Sequence, residues 1–91
     1  MFTIIPTTRF KKDIKRSRGF VLFPSDELKI VLQHLKKGEK LPAKYKDHQL
    51  TGELKALREC HLLYDFMLMY QIDHQEKTVY LARIGSHSQL F

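Results

Sequence analysis

The sequence predicts an α+β fold in the order β-α-α-β-β-β, with two N-terminal helices packed on an antiparallel sheet. Three observations predict it. Apolar residues recur at helical spacing in two stretches before Gly38. The pattern turns β-like from Glu53 to Ile72. From there the strands follow one another through short polar turns, with no helix between them. Strands joined by tight turns pair antiparallel, and helices segregated from such a run define α+β. At 91 residues the chain makes one domain, 1–91, whose core needs neither disulfide nor metal.

Phe2–Ile5 reads as a short strand closed by Pro6. Thr7 or Thr8 caps a helix running through Arg16, with Phe10 and Ile14 four apart on its core face. Arg9, Lys11, Lys12, Lys15, Arg16 and Arg18 make the rest of that region basic. Most of this is a solvated face, and some of it is able to follow phosphates. Pro24-Ser25-Asp26-Glu27 starts a second helix, with Ser25 as acceptor for free backbone N–H groups and two acids at the positive end of the dipole. Leu28, Val31, Leu32 and Leu35 form its apolar stripe, and Gly38 falls where a helix ends.

Glu39–Gly52 is polar and irregular. A loop this long in a small domain is usually functional. Glu53–Ile72 is too long for one strand and breaks near Leu63–Asp65, giving a hairpin of Leu54–Leu62 and Phe66–Ile72. In the second strand Phe66, Leu68, Tyr70 and Ile72 alternate with Met67 and Met69, so both faces are apolar and the strand is central. Asp73–Glu76 is a turn. Lys77–Ile84 is the last strand, with Val79, Leu81 and Arg83 on one face, and Ser86–Phe91 is a tail.

The net charge of +6 and pI of about 9.6 favour polyanionic partners. Cys60 is the single cysteine, so no internal disulfide forms, and a reducing cytoplasm fits. No signal-peptide pattern is present, and no apolar run approaches the ~20 residues of a membrane span.

The chemistry-bearing residues lie in three segments: Lys46-Asp47-His48; Arg58-Glu59-Cys60-His61 with Asp65; and Arg83-Ile84-Gly85-Ser86-His87. RNA cleavage without metal needs a base for the 2′-hydroxyl proton, an acid for the leaving 5′-oxygen and a cation at the phosphate. Histidine titrates near neutrality, and arginine bonds two phosphate oxygens at once. His61 ends one strand and Asp65 starts its partner, while Arg83 and His87 end the next strand. An up-down-up meander brings these four to one sheet end, and the long loop must deliver His48.

A metal centre built from two or three histidines and an aspartate is the rival, but no His-x-Glu, His-Glu-x-x-His or Cys-x-x-Cys spacing supports it. No metal and no cofactor are expected. Cys60 is expected in the core, since its neighbour His61 points to the opposite face. Phe66 reads as core and Tyr64 as open. Phe91 either covers a core edge or stacks on a ligand.

Taken in order, these segments resemble the YafQ-type toxins of the RelE superfamily. Leu41-Pro42 through Tyr45-Lys46-Asp47-His48, Leu50 and Gly52 is similar to their first motif. Arg58 to His61 with Asp65 is similar to the second, Met69-Tyr70 to a hydrophobic–tyrosine strand, and Arg83-Ile84-Gly85-Ser86-His87 through Leu90-Phe91 to their ending. Phe10-Lys11-Lys12-Asp13 fits their first helix. Two positions depart: Tyr64 stands where many members have proline, and Phe66 where tryptophan is common.

The resemblance implies a RelE-like fold and a ribosome-associated mRNA endonuclease. Catalytic roles fall to His48, His61, Asp65 and His87, with either His48 or Asp65 as the base. Arg83 and Lys46 are placed at the phosphate and Phe91 near the bound base. It further implies an antitoxin whose acidic C-terminal segment covers the basic face, with operator DNA met only through that complex. The alternative is a non-catalytic basic module that pairs with an antitoxin and operator DNA.

Overall fold

The computed structural model describes residues 1–17 and 23–91, so Arg18 lies outside the described residues. Strand β1 (Thr3–Pro6) runs almost directly into helix α1 (Thr8–Ser17). Thr7 makes the join. Its hydroxyl accepts the Phe10 N–H at 3.2 Å, the bond of a helix N-cap, and donates to the Leu81 carbonyl at 2.8 Å. Helix α2 spans Ser25–Lys36, and its N-cap is Pro24. Ser25 is therefore the first helical residue and caps nothing, contrary to expectation. The helix C-terminus is closed by two bonds, Gly38 N–H to the Leu35 carbonyl (3.1 Å) and Glu39 N–H to the His34 carbonyl (2.9 Å), with Gly38 at φ +72°.

Gly38 also meets the N-terminus. A Cβ there would lie 2.8 Å from the Phe2 ring, and the Phe2 N–H donates to the Lys36 carbonyl at 2.8 Å. A Gly38→Ala change is expected to cost about 1–2 kcal/mol for the left-handed backbone, plus the clash. Gly52, at φ +67° with open space around it, supplies the control. In thermal melts Gly38→Ala should fall further than Gly52→Ala; equal shifts would mean that the Phe2 contact carries no weight.

The remaining elements are β2 (His48–Gln49), β3 (Arg58–Leu63), β4 (Phe66–Asp73), β5 (Thr78–Gly85) and α3 (His87–Leu90), with 3-10 turns at Ala43–Tyr45 and Gly52–Leu54. Several expectations are corrected. The first hairpin strand begins at Arg58 rather than Leu54, because Gly52–Leu54 coils into a turn. The 39–52 segment is partly ordered and contributes β2, and the tail winds into α3. The sheet is five-stranded and mixed, in the order β1-β5-β4-β3-β2, with β1 parallel to β5 and every other pair antiparallel. β4 is central, as its two apolar faces require.

Register assigns the two faces, because cross-strand partners share one. Cys60, Leu68 and Ile84 make one row, and Tyr70 pairs with Leu81. These side chains join Phe10, Val31 and Leu35 in the core between sheet and helices. His48, Glu59, Met69 and Arg83 make an alternate row, and His61, Met67 and Gly85 another. They occupy the opposite face. An irregularity in the β4–β5 register, between the Met69–Arg83 and Tyr70–Leu81 pairs, moves Arg83 out of line with Val79 and Leu81. Ile84 takes the core position, which corrects the expected alternation of the last strand.

Candidate active site

The segment that carries His48 is pinned at two points. The Tyr45 hydroxyl donates to Glu27 on α2, and Tyr45 is buried. Asp47 then receives Arg58, Nη2 at 2.8 Å and Nε at 3.2 Å from Oδ2, together with the Tyr70 hydroxyl on its other oxygen. Burial first, then the Asp47 carboxylate, push the Tyr70 hydroxyl well above its ordinary value, so it stays a donor. Between the two anchors Lys46 turns the chain at φ +50°. His48 consequently enters the sheet as a strand residue opposite Glu59, not on a free loop.

Glu59 is the centre of a first cluster. Its Oε1 lies 3.5 Å from His48 Nε2 and 3.9 Å from His61 Nε2, and the two imidazole centroids are 6.2 Å apart. The Glu59 side chain is buried, and its Oε2 has no hydrogen-bond partner among the described residues. His48 Nδ1 lies 2.8 Å from the Lys46 carbonyl. A carbonyl only accepts, so Nδ1 carries the proton and the lone pair of the neutral ring is on Nε2. Buried Met67 and Met69 floor the cluster from the adjacent strand.

Asp65, His87 and Phe91 form a second cluster. Asp65 Oδ1 accepts the His87 backbone N–H at 3.1 Å. Ser86 and Gln89 add a reciprocal capping box, so α3 starts at a fixed point. The Phe91 ring packs against the His87 ring at 4.9 Å and remains half-exposed. Since His61 and Gly85 both pair with Met67, their backbones stand two strand spacings apart, roughly 10 Å, with His87 just beyond Gly85.

Arg83 does not stand free. Its Nε and Nη2 donate to Asp13 on α1 at 2.7 and 3.2 Å, and Asp13 also accepts the Ile84 N–H (3.1 Å) and Arg16 (2.9 Å). Burial pushes the Asp13 carboxyl upward, but these hydrogen bonds and the two guanidinium charges outweigh it and hold the group below the usual range. The Asp13 hydrogen bond likewise raises Arg83. The remaining guanidinium N–H groups are the ones available to a ligand.

Lys46 lies with Lys44, His61, Leu62, Leu63 and Tyr64 around a groove of about 260 Å³. Cys60 is fully buried, and burial followed by the Asp47 charge pushes its thiol up to about 12, so it offers no thiolate nucleophile. Among the described residues no group of three or more His, Cys, Asp or Glu side chains is set to hold a metal ion.

The expected residues thus fall into two clusters joined by the β3–β4 hairpin, with Arg83 in the same row as Glu59. Sequence reasoning passed over Glu59 and Asp13. The signals were present: Glu59 is two residues from His61 on a strand and shares its face. Asp13 is three residues beyond Phe10, on the buried side of α1.

A mixed sheet with helices on one face and histidines on the other is the architecture expected of a RelE-like domain. The chain belongs to the YafQ family: over residues 2–91 it matches the family described as the bacterial toxin of type II toxin-antitoxin system, YafQ. It is 41% identical over 51 residues to the mRNA interferase toxin YafQ of Escherichia coli (strain K12), an alignment covering 56% of this chain and 53% of the relative. The chain therefore spans about half the length of that curated relative. Among solved structures, the metal-bound toxin from Helicobacter pylori is 47% identical with a TM-score of 0.84, each chain covered 100%. YafQ in the E. coli DinJ-YafQ complex is 30% identical with a TM-score of 0.86, covering 100% of this chain and 99% of that one.

Proposed function

We propose that this toxin is a ribosome-associated mRNA endonuclease that works by metal-independent acid–base catalysis. The observation that carries the reading is the pair of imidazoles at the buried Glu59 carboxylate, His48 Nε2 at 3.5 Å and His61 Nε2 at 3.9 Å. His48 Nε2 takes the proton of the RNA 2′-hydroxyl. The 2′-oxygen attacks the phosphorus, and the bond to the 5′-oxygen breaks. His87 supplies the proton that the leaving oxygen needs. The products are a 2′,3′-cyclic phosphate and a 5′-hydroxyl end.

Glu59 stabilises the imidazolium formed at His48 as a fixed carboxylate does beside a catalytic histidine. His61 stands across the same carboxylate and orients the phosphate. Asp65 already holds the His87 backbone, which favours a positioning role over that of base. Arg83 and Lys46 contact phosphate oxygens, and Phe91 lies near the bound base.

The partner is an antitoxin whose acidic segment covers the basic face, by analogy with the DinJ-YafQ complex. Operator DNA is met only through that assembly. No helix among the described residues is long and apolar enough to cross a membrane, and the proposed site of action is the cytoplasm.

The mechanism predicts that a message with 2′-deoxyribose at the target position is not cut on the ribosome, while its all-ribose twin is. Cleavage of both would overturn it. A metal-assisted nuclease is the second reading, favoured by the metal-bound H. pylori relative. Zinc or manganese dependence at constant magnesium would establish it.

A further inference from the structure

The groove beside His61 borders the first cluster, sharing His61 and Lys46 with it, and extends past them to Lys44 and Tyr64, which the proposed reaction does not use. Tyr64 forms its rim and is 98% exposed. It occupies, with Asp65, the tip of the hairpin between β3 and β4. Such tips are ordinarily polar or glycine, since an aromatic there packs on nothing and keeps its apolar surface in water. The tip is nevertheless fixed, because Asp65 bonds the backbone of His87. The backbone that carries the exposed ring is thus tied to the segment that carries the proposed general acid.

Lysines complete the groove. Lys46 is turned by its left-handed backbone between the Tyr45 and Asp47 anchors. Lys44 Nζ lies 3.6 Å from Glu27 and 5.0 Å from the Tyr45 ring centroid, and its side chain is still 64% exposed.

We propose that this groove is a nucleotide subsite for single-stranded RNA. Tyr64 stacks on an unpaired base flanking the cleaved step, and Lys44 and Lys46 face the backbone phosphates. The proposal rests on the reading of the chain as an RNA endonuclease and adds a place where neighbouring sequence is sensed. A flat aromatic face beside cationic side chains is the arrangement that binds unpaired nucleotides. Among the described residues, the apolar lining besides Tyr64 is Leu62, which is buried, and Leu63. A groove this short suits one base and its phosphate better than an extended peptide segment.

The chain has no tryptophan, so Tyr64→Trp introduces a single indole fluorophore at the tip. A short unstructured RNA made uncleavable by 2′-deoxy substitution is expected to quench it. Tyr64→Ala should weaken binding of the same oligonucleotide by about 5- to 150-fold at an unchanged melting temperature. It should also raise KM and redistribute cleavage sites, with kcat nearly constant at those still cut. If the RNA leaves the fluorescence of the Tyr64→Trp protein unchanged while a glutamate-rich peptide quenches it, the groove is an antitoxin surface and the proposal is overturned. Unaltered RNA affinity and cleavage pattern in Tyr64→Ala would overturn it as well. Quenching by RNA from a protein that never cleaves would sink the endonuclease reading and leave the subsite standing.

Discussion

Replacing His87 with alanine is expected to slow message cleavage about 10²- to 10⁴-fold, the usual loss for a general acid. The change removes only the ring. The His87 N–H that Asp65 holds is backbone, and the Ser86–Gln89 box is independent of the side chain. α3 should therefore stay in place, and circular dichroism and melting should match the parent. Phe91 loses the ring it packs on, so under the proposed role for Phe91 at the base KM should rise as well, by less than kcat falls. In a bacterial host the parent chain is expected to arrest growth and His87→Ala is not. Equal growth from the two would favour the non-catalytic module that pairs only with antitoxin and operator DNA.

Removing the Asp13 carboxylate is expected to have the largest effect on stability, about 3–5 kcal/mol for Asp13→Ala. The carboxylate serves four donors: Arg83 through two nitrogens, Arg16 and the Ile84 N–H. It is 3% exposed, so water does not replace it. Alanine leaves a largely buried guanidinium unpaired and an inner strand N–H without an acceptor. For a domain of this size the loss is about a fifth or more of a total near 5–14 kcal/mol.

The pH dependence has a fixed sign. A carboxyl held below its unfolded value, about 3.9, contributes in full above that pH, and the contribution fades as pH falls through the lowered folded value. Urea denaturation at neutral pH and near pH 3 checks both. Asp13→Asn should narrow the gap between the two conditions, and an Asp13→Asn chain as stable as the parent at neutral pH would refute the assigned role.

Much of this arrangement was legible in residue order, and the reasons are local. Phe10 with Ile14, and the stripe from Leu28 to Leu35, are helical because their spacing allows nothing else. Gly38 ends a helix because a left-handed residue is needed there. β4 was identified as central from Met67 and Met69 alternating with larger apolar neighbours. The convergence of β3, β4 and β5 at one end followed from connectivity alone.

What escaped depends on partners distant in sequence. β1 pairs parallel to β5, which a run of turns does not announce. β2 is two residues long and exists because Asp47 is bound by Arg58 and Tyr70. The irregularity between the Met69–Arg83 and Tyr70–Leu81 pairs breaks an alternation that looked regular on paper. For the site, histidines are conspicuous, whereas Glu59 and Asp13 are common residues whose roles emerge only when their neighbours are known.

The joining of β1 and α1 to β5 also orders events in time. Thr7 bonds the Leu81 carbonyl across 74 positions, and Asp13 bonds Arg83 across 70. During synthesis the first strand and helix emerge long before the strand they dock on, and such long-range closures come late in folding. The row that holds Arg83 and the turn that presents His87 do not exist until β5 is laid down. The face that carries these residues is therefore completed only at the end of synthesis or after it.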